Sequence, residues 1–551
     1  MITIGIYGIR DTTRGPRPTY THDHAVAVMV EGRVQAVVEL ERWTGRKHDN
    51  RLDEVIGDLL AELAPPAEEV RFVSVNTFVG DAFVSASGEL RIEPAGKVDI
   101  PSILTPARVR WYPNGIEARA ATGFIMCHEF AHIASILAFV GRFEPQSLLA
   151  HIDGGASDSA CSFWLWDGEN ARLIDASWDQ LKAPVNNFNV SPLVRAILGL
   201  APHDHLAMPG KLMGYAGHGE PSAAILEWLS DNGFFLDYSG DPIDLLAQVN
   251  RRFGASLSDF DARAPLLQDI CATIQAHFQA SVTRAILEMQ RRTGARHLYY
   301  AGGAALNIPT NSALEASGVF ASVNVPPCPS DTGLALGAAA WVELKDRGEL
   351  ARHSPFLGRL GVLCGPPSLE SVSDTAAMLA GGSVVGVCNG ASEVGPRALG
   401  HRSILARPDS VDLRRRVSEI IKKREWYRPL APVVMEEVAR EAFGDAIAES
   451  RLAPFMLGMF RVREGWAPRF AGVLHRDGSL RAQVIQGGDP ETAFLYAVLA
   501  ELQRVHGVFG LINTSFNGPG EPMVHRHDDA LPLARRLGLD GVVIHGSLHR
   551  L

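Results

Sequence analysis

Several features that would assign a chain to a broad class at once are missing from these 551 residues. The six cysteines lie far apart and form no CxxC pair, which is typical of buried thiols in a reducing compartment. The opening segment "MITIGIYG" shows no charged leader or cleavage motif, and no apolar run reaches membrane-spanning length. We therefore expect a cytoplasmic protein with no membrane span.

An excess of positive charge is missing too. The chain has 62 acidic and 52 basic side chains, and its formal net charge is −10. This balance disfavours a general nucleic-acid binder, so we expect no nucleic-acid partner. Hydrophobic residues make up 46% and charged residues 21%, which is ordinary for a globular protein of two to four domains.

Two segments of the N-terminal half share one layout. Residues 2–7 predict a buried strand, and residues 24–42 alternate around Glu31-Gly32 as a β-hairpin does. Residues 148–155 again predict a strand, followed by a hairpin that turns at Asp167-Gly168. A strand, a loop and a hairpin used twice indicate an internal duplication. The predicted fold class is therefore α/β, with a duplicated N-terminal domain laid out like the actin-like ATPases, whose related halves face each other across a nucleotide cleft.

The rest of the chain predicts helices, further strands and a second module. Apolar spacing predicts a helix from about residue 117 to 140, and residues 297–311 predict a strand, a Gly-Gly turn and a helix start. The composition shifts around 345–368, which predicts a junction between domains 1–355 and 366–551. The second domain carries the cationic run "LRRRVSEIIKKREWYRP", in which we interpret Arg414 to Arg416 as a solvated helix face.

The stretch "HEFAH" raises the question of a metal. His128 and His132 are four residues apart, so both side chains leave one face of a helix and a divalent cation can bridge them. The HExxH pattern also occurs in zinc proteases. Its extended form fails here, because Ser135 and Ala138 stand where that form has Gly and His.

Two aspartates supply candidate partners for this histidine pair. Asp153 ends a predicted buried strand, and Asp331 lies at a strand-turn-helix junction. The alternative is that the histidines are partly buried polar residues that bind no metal. A set of two histidines and two aspartates suits iron, manganese or zinc, so ligand type alone does not select the ion. Glu129 then points away from the metal face and has a structural role.

Eleven ordered blocks resemble one family, the O-carbamoyltransferases of antibiotic and nodulation-factor biosynthesis. The resemblance runs nearly from end to end. In the N-terminal domain the blocks are "HDHAVAVMVEGR", "ERWTGRKHD", "HEFAHIAS", "HIDGG", "GKLMGYAGHGEP", "YYAGGAALN" and "PSDTGLALGAA". In the C-terminal domain they are "SEVGPRALGHRSIL", "KKREWYRPLAPVV", "HRDGSLRAQVI" and "NTSFNGPGEPMV".

This resemblance implies a fold and a two-step reaction. The N-terminal domain is expected to be like threonylcarbamoyl transferase, and the C-terminal domain is expected to be an α+β adenylate-forming (YrdC-like) domain. The C-terminal domain would make carbamoyl adenylate from ATP and carbamoyl phosphate. The N-terminal domain would pass the carbamoyl group to a hydroxyl of a small-molecule natural product. The expected metals are Fe(II) (or Mn or Zn) in the N-terminal domain and Mg with ATP.

The resemblance also assigns residues. Fixed cations suit two anionic substrates, because arginine offers bidentate donors to phosphate oxygens. The residues expected to bind ATP and carbamoyl phosphate are Arg397, Arg402, Lys422, Arg424, Arg428, Arg481, Thr514, Ser515 and Asn517. The residues expected to bind the adenylate in the N-terminal domain are Gly154, Gly302, Gly303 and Asn307.

The acceptor hydroxyl needs a base or an oriented hydrogen-bond acceptor. His22 is the candidate base because the ordinary pKa of histidine is near neutrality, and Lys47 is the candidate to hold the acceptor or the developing oxyanion. Lys47 as a plain surface lysine is the alternative. The inserted segment "IRDTTRGPRPTYT" precedes His22, where the acceptor is expected to bind, so an unusual acceptor shape is predicted.

Several functions remain open besides the leading one. The acceptor could be a polyketide, an aminoglycoside, a β-lactam precursor or a nucleoside. Carbamoylation in hydrogenase cofactor maturation is weakened because the chain lacks paired CxxC modules, and transfer-RNA modification is weakened by the acidic balance. From other classes, an ATP-driven chaperone of actin-like fold and a zinc protease are the alternatives.

Overall fold

A computed structural model describes residues 1–10, 21–63, 69–113, 118–201, 204–237, 241–358 and 368–551. Most of the inserted segment before His22 therefore lies outside the described residues. So do the predicted domain boundary at residue 366 and Cys364. The other five cysteines are buried free thiols, as the sequence predicts. Within these ranges, no helix is both long and apolar enough to cross a membrane.

An eight-stranded sheet forms the first half of the N-terminal module. Its strands and their helices are β1 (Ile2–Tyr7), β2 (Ala25–Val30), β3 (Arg33–Glu39), β4 (Val70–Val75), β5 (Phe83–Val84), β6 (Leu90–Pro94), β7 (Leu104–Trp111), β8 (Ala121–Met126), α1 (Leu40–Thr44) and α2 (Leu52–Leu63). The strand order is β3-β2-β1-β4-β8-β7-β6-β5. The β2–β3 hairpin turns at Glu31 and Gly32, which both have positive φ, as predicted.

A five-stranded sheet forms the second half. Its strands are β9 (Ser147–Ile152), β10 (Cys161–Trp166), β11 (Ala171–Ser177), β12 (His297–Ala301) and β13 (Ser322–Asn324). The order β11-β10-β9-β12-β13 repeats the order β3-β2-β1-β4-β8 of the first sheet. In both sheets three antiparallel strands are followed by two parallel additions. This repeated topology confirms the predicted duplication and the α/β actin-like fold class.

The helices of the N-terminal module correct one prediction. They are α3 (His128–Ala134), α4 (Leu137–Val140), α5 (Lys182–Asn189), α6 (Pro192–Ile197), α7 (Met208–Ala216), α8 (Ala223–Asp231), α9 (Pro242–Phe253), α10 (Pro265–Thr293), α11 (Ile308–Ala316) and α12 (Leu334–Arg347). The helix predicted over residues 117–140 begins only at His128, because β8 occupies the preceding segment and pairs in parallel with β4. Pairing with a buried neighbouring strand outweighs the apolar spacing within this segment.

Small residues let the central helix α12 approach the elements around it closely. A Cβ added at Gly5 of β1 would lie 1.9 Å from the carbonyl oxygen of Ala335, and a Cβ at Gly337 would lie 1.9 Å from that of Ala131 in α3. Only glycine permits such contacts. The ends of β4 and β9 and the starts of α3 and α12 therefore meet in one cleft.

The C-terminal module is built on a mixed seven-stranded sheet, with a small two-stranded sheet beside it. Its elements are α13 (Leu369–Ala380), β14 (Val385–Cys388), β15 (Arg402–Ala406), α14 (Val411–Arg415), β16 (Ala431–Met435), α15 (Glu436–Phe443), α16 (Ala446–Glu449), β17 (Phe460–Arg461), β18 (Ser479–Leu480), β19 (Gln483–Ile485), α17 (Ala493–His506), β20 (Leu511–Ser515), α18 (Ala530–Leu537), β21 (Gly541–Ile544) and β22 (Ser547–Arg550). The main order is β19-β16-β20-β15-β14-β21-β22.

The two modules are packed against each other. Tyr427 of the C-terminal module stacks edge-on against Tyr215 of α7, with ring centroids 4.9 Å apart, and Asn311 of α11 donates to the carbonyl of Leu457 at 3.2 Å. Tyr427 and Leu457 belong to the same hydrophobic cluster as the helices of the N-terminal module. This shared core holds a loop of the C-terminal module against the cleft.

Candidate functional site

The two histidines of the HExxH stretch face each other at the start of α3. The Nε2 atoms of His128 and His132 are 3.1 Å apart, and both side chains are buried. Their Nδ1 atoms lie 3.3 Å from the carbonyl oxygen of Asn76 and 3.0 Å from that of Pro329. Because a carbonyl only accepts, each Nδ1 carries the proton and each Nε2 presents a lone pair.

The two predicted aspartates lie beside this pair. An Asp331 oxygen is 3.5 Å from Nε2 of His132 and 3.8 Å from Nε2 of His128, and Asp153 is 3.7 Å from Nε2 of His132. The Tyr7 hydroxyl donates to the other Asp331 oxygen at 2.7 Å. The structure thus brings together all four residues predicted as metal ligands; we call His128, His132, Asp153 and Asp331 the histidine–aspartate cluster.

The chemistry of this cluster fits a cation. Two imidazole lone pairs that face each other at hydrogen-bonding distance repel unless a positive charge lies between them. Burial and the neighbouring His128 lower the pKa of His132, which favours the neutral, ligating form. Burial acts to raise the pKa of Asp153, but the imidazoles of His132 and His151 outweigh it and lower that pKa, which favours the carboxylate.

His151 is a fifth candidate ligand that the sequence reasoning missed. Its ring stacks on His132 with centroids 5.2 Å apart, and its buried Nε2 has no hydrogen-bond partner among the described residues. With His132 and Asp153 it forms a second group of ligating atoms close enough for one cation. The sequence contained a signal for this ligand, because His151 is two residues before Asp153 and residues two apart in an extended strand point to the same face.

Glu129 is turned away from the cluster, as expected. Its carboxylate accepts hydrogen bonds from the backbone N–H groups of Asp158 at 2.6 Å and Ser159 at 3.0 Å. Burial raises its pKa. The glutamate of a zinc protease must face the metal and a water, so this geometry contradicts the protease alternative.

A second group of polar residues lies on the other side of Asp331. His22 Nδ1 is 3.0 Å from one oxygen of Asp23 and 4.0 Å from Asp331, and His48 Nδ1 is 2.8 Å from the other Asp23 oxygen. Burial acts to lower the pKa of His22, but the charges of Asp23 and Asp331 outweigh it and raise that pKa to about 9. Asp23 and His48 both have φ near 56°. Such backbone strain is typical of functional sites.

Lys47 lies beside the same group and forms an ion pair. Its Nζ is 2.8 Å from both carboxylate oxygens of Glu41, and Glu41 also accepts from the backbone N–H of His48 at 2.9 Å. Burial acts to lower the pKa of Lys47, but the Glu41 charge outweighs it and raises that pKa. The side chain is still 40% exposed, so the ammonium is both charged and accessible.

The predicted adenylate-binding glycines adjoin Asp153. Gly302 has φ of +100°, and a Cβ there would lie 2.2 Å from the carbonyl oxygen of Ile152, so the turn needs glycine. The N–H of Gly303 donates to Asp153, and Gly154 follows Asp153 on an exposed turn. Asn307 differs, because its buried amide caps α11 and exchanges hydrogen bonds with Gln275. Its side chain is engaged within the fold.

Lys422 occupies a polar cradle in the C-terminal module. Its Nζ donates to the carbonyl oxygens of Ser515 at 2.7 Å and Asn517 at 2.8 Å, and also to both side chains. Lys422 follows a π-helical turn, Arg416–Ile421. Burial, with Arg424 and Arg428 adding to it, holds its pKa well below the usual value. Three residues predicted from two separate blocks thus meet here.

Four arginines lie close to this lysine or to one another, and the carboxylate of Glu425 is 3.9 Å from Arg428. Burial and neighbouring arginines lower the pKa of Arg397 to about 10 and that of Arg424 to about 9, and the same causes lower that of Arg481. The buried Nε atoms of Arg397 and Arg481 have no hydrogen-bond partner among the described residues. We call the group the arginine pocket; it consists of Arg397, Lys422, Arg424, Arg428 and Arg481.

Arg402 and Thr514 are placed differently from the other predicted ligands of this module. Arg402 is fully buried and donates to the backbone carbonyls of Asn389 at 2.6 Å, Gly390 at 3.0 Å and His525 at 3.2 Å. These contacts fit a structural role that ties two loops together. Thr514 lies within β20 and pairs with Ile404 of β15.

Two residues of the N-terminal module hold the loop that leads to Arg397. Buried Arg42 donates to the carbonyl oxygens of Glu393 and Gly395, and Glu39 accepts from the N–H of Gly395 at 2.6 Å. A Cβ at Gly395 would lie 2.2 Å from the carbonyl oxygen of Pro327, four residues before Asp331. We call Glu39 and Arg42 the interdomain clamp, because they connect the two candidate sites.

Comparisons with known proteins show the family of the chain. Family models described as carbamoyltransferase N-terminus and C-terminus match residues 122–340 and 376–550. Nodulation protein U of Bradyrhizobium diazoefficiens is 32% identical over 90% of this chain and 90% of its own length. Nodulation protein U of Sinorhizobium fredii is 30% identical over 91% of this chain and 93% of its own length.

Two further comparisons concern another nodulation protein and a solved structure. Nodulation protein NolNO of Sinorhizobium fredii is 29% identical over 99% of this chain and 82% of its own length. The structure of full-length HypF in a phosphate- and nucleotide-bound form is 12% identical and covers 62% of this chain and 55% of that one, with a TM-score of 0.32. The chain belongs to the carbamoyltransferase family and is a carbamoyltransferase enzyme.

Proposed function

We propose that the chain carries out ATP-dependent O-carbamoyl transfer to a small-molecule hydroxyl in two steps. In the first, carbamoyl phosphate, water and ATP give carbamoyl adenylate, inorganic phosphate and pyrophosphate. In the second, the acceptor oxygen bonds to the carbamoyl carbon, the bond from that carbon to the AMP oxygen breaks, and the hydroxyl proton is removed. The observation that carries the proposal is the opposite charge of two connected sites, one fitted to a cation and one to polyanions.

The first step is assigned to the arginine pocket. The Nε donors of Arg397 and Arg481 have no hydrogen-bond partner among the described residues, and arginine donors bind phosphate oxygens in a bidentate manner. Buried like charges repel one another in the free protein, so polyanionic substrates relieve that repulsion when they bind. Lys422, held by Ser515 and Asn517, places one further point charge at the edge of the pocket. ATP with Mg and carbamoyl phosphate supply the matching negative charge.

The second step is assigned to the cleft of the N-terminal module. His128, His132, Asp153 and Asp331 would hold a divalent cation, with Fe(II) expected before Mn or Zn. When bound, such a cation acts as a Lewis acid that polarises a carbonyl or phosphoryl oxygen. Gly302 and Gly303 let the backbone approach the adenylate beside Asp153. Tyr7 orients Asp331 through its 2.7 Å hydrogen bond.

His22 and Lys47 act on the acceptor in this proposal. Asp23 accepts from Nδ1 of His22, which leaves Nε2 for the acceptor hydroxyl. A cation held by Asp331 would offset part of the charge that raises the pKa of His22, and Nε2 would then take the hydroxyl proton. The charged ammonium of Lys47 lies on the same side of the cleft. It would stabilise the oxyanion that develops as the carbonyl is attacked.

Measuring the two steps separately tests the proposal. Pyrophosphate release from ATP and carbamoyl phosphate reports the first step, and a mass gain of one carbamoyl group on an added hydroxyl compound reports the second. Lys422→Met is expected to abolish pyrophosphate release, whereas the exposed neighbour Lys423→Met leaves it unchanged. His132→Ala is expected to lower the bound metal and stop transfer, with pyrophosphate release retained. Transfer that survives in His132→Ala would refute the role given to the cluster.

A further inference from the structure

An exposed aromatic pair lies on two segments that follow strands of the two duplicated halves. Phe78 is 63% exposed and Trp178 is 41% exposed, and their rings meet edge to face with centroids 6.4 Å apart. Phe78 follows β4 in the first half of the N-terminal module, and Trp178 follows β11 in the second half. The pair therefore spans the two duplicated halves. Large exposed aromatic side chains in contact are uncommon on a protein surface and are typical of binding sites.

Short segments connect each aromatic residue to the histidine–aspartate cluster. Asn76, two residues before Phe78, accepts from the N–H of His128 at 2.9 Å with its side chain and contacts Nδ1 of the same histidine with its carbonyl. On the other side, Ala160 donates to the carbonyl of Ser177 at 3.2 Å and accepts from the N–H of Asp153 at 2.9 Å. A molecule on the aromatic pair thus lies next to the loops that position the candidate ligands.

Two carboxylates lie on the segments that carry the pair or contact it. Asp81, three residues after Phe78, accepts from the Asn76 side chain at 3.2 Å, and exposed Asp158 lies two residues before Ala160, whose N–H donates to the residue before Trp178. Burial raises the pKa of Asp158, and the charges of Asp81 and Asp99 add to that effect. Both carboxylates therefore interact electrostatically with Asp158. Lys97 is a neighbouring cation; its ammonium lies 3.5 Å from Asp99, and its side chain is 83% exposed. A positively charged acceptor is therefore complementary to this rim.

We propose that Phe78 and Trp178 form the acceptor subsite and that the acceptor is a hydroxyl compound with a flat C–H ring face and a positive charge. The inference rests on the proposed function, because it places the acceptor beside the cluster. Aromatic faces stack on C–H rings and attract ammonium groups, and both effects add to the attraction of Asp81 and Asp158. The subsite selects the acceptor and makes no contact with the adenylate.

Glucosamine and glucose are matched probes, since they share one ring and differ in a single amino group. Saturation-transfer NMR on the full chain is expected to show binding of both sugars, with glucosamine at least five-fold tighter. Trp178→Ala and Phe78→Ala are each expected to weaken the binding of glucosamine five-fold or more. Trp178→Phe is expected to retain most of the affinity. Pyrophosphate release without acceptor stays unchanged in all three variants. Asp81→Asn with Asp158→Asn is expected to remove the preference for glucosamine.

The outcomes separate this inference from the proposed function. Absent pyrophosphate release in the unaltered chain refutes the two-step reaction but leaves the sugar binding to be judged by NMR. Failure of both sugars to bind, equal affinity for the two, or unchanged affinity in Trp178→Ala overturns the subsite. A change of oligomeric state in Phe78→Ala or Trp178→Ala, measured by light scattering, also overturns it, because the pair would then be a contact between copies of the chain.

Discussion

The cleft of the N-terminal module and the arginine pocket place His22 and His475 in electrostatic fields of opposite sign. In the cleft, burial acts to lower the pKa of His22, yet Asp23 and Asp331 raise it to about 9. At the pocket, burial lowers the pKa of His475 to about 4, and Arg481 adds to that lowering while Asp477 opposes it. The sign of each field indicates the ligand that suits each site: a cation in the cleft and polyanions in the arginine pocket.

The largest expected effect comes from removing a charge in the pocket. Arg481→Met is expected to lower pyrophosphate release at least 100-fold, which corresponds to roughly 2.7 kcal/mol. The same change should stabilise the ligand-free protein by about 1 kcal/mol, because it removes a buried charge that lies among like charges.

The exposed Arg415→Met is the matched control for this variant. It is expected to change neither pyrophosphate release nor the unfolding midpoint in denaturant. If Arg481→Met instead destabilised the free protein and spared pyrophosphate release, Arg481 would be a structural residue and the contrast between the sites would be wrong.

His475, beside the arginine pocket, is expected to make the stability of the folded protein sensitive to acid. His475 is neutral in the folded protein down to about pH 4 but takes a proton near pH 6.5 when the chain unfolds. Its contribution to stability is therefore complete above pH 6.5 and is lost as the pH falls toward 4. Between pH 7.5 and 5 this loss amounts to about 2 kcal/mol.

His475→Gln removes this proton linkage. The free energy of unfolding, measured by denaturant titration at several pH values, is expected to fall less steeply with acid in the variant than in the unaltered chain. Parallel curves for the two proteins would show that His475 titrates alike in the folded and unfolded states. The positive electrostatic field of Arg481 would then have no effect on the pKa of His475.

The interdomain clamp tests whether the two sites are connected. Arg42→Ala is expected to slow pyrophosphate release about 10-fold, or roughly 1.4 kcal/mol, although Arg42 belongs to the other module. The reason is that Arg42 fixes the carbonyls of Glu393 and Gly395, just before Arg397 of the pocket. The loss should appear mainly as a higher KM for carbamoyl phosphate, and Arg42→Lys should restore part of it.

Arg46→Ala is the control for the clamp, because Arg46 is exposed a few residues farther along the chain. Its pyrophosphate kinetics are expected to match those of the unaltered protein. Equal kinetics in Arg42→Ala would mean that the pocket is organised by its own module alone.

The sequence predicted most of the fold and the composition of both sites. Hairpin turns such as Glu31-Gly32 are encoded locally, so the duplication was visible in two strand-hairpin units. The predicted set His128, His132, Asp153 and Asp331 meets in one cleft, because strand ends and helix starts converge there. The metal itself and the chemistry of each residue stay predictions.

The parts that the sequence did not predict depend on distant contacts. Residues 121–126 form a strand because β4 lies beside them, which no local pattern reveals. Arg402 was predicted to be a phosphate ligand, but its guanidinium donates to carbonyls of two separate loops. The clamp joins residues more than 350 positions apart, so only the folded chain shows it.

The smallest expected effect belongs to a cation close in sequence to Lys422 but outside the pocket. Arg416 pairs with Asp540 at 2.8 Å, and both side chains are about one-third exposed, so it is not the unpaired solvated residue expected from the sequence. An exposed pair of this kind contributes about 0.5 kcal/mol or less. Arg416→Ala should therefore shift the unfolding midpoint slightly and leave the KM for ATP and for carbamoyl phosphate unchanged. A large rise in either KM would place Arg416 among the phosphate ligands and extend the pocket along the cationic run.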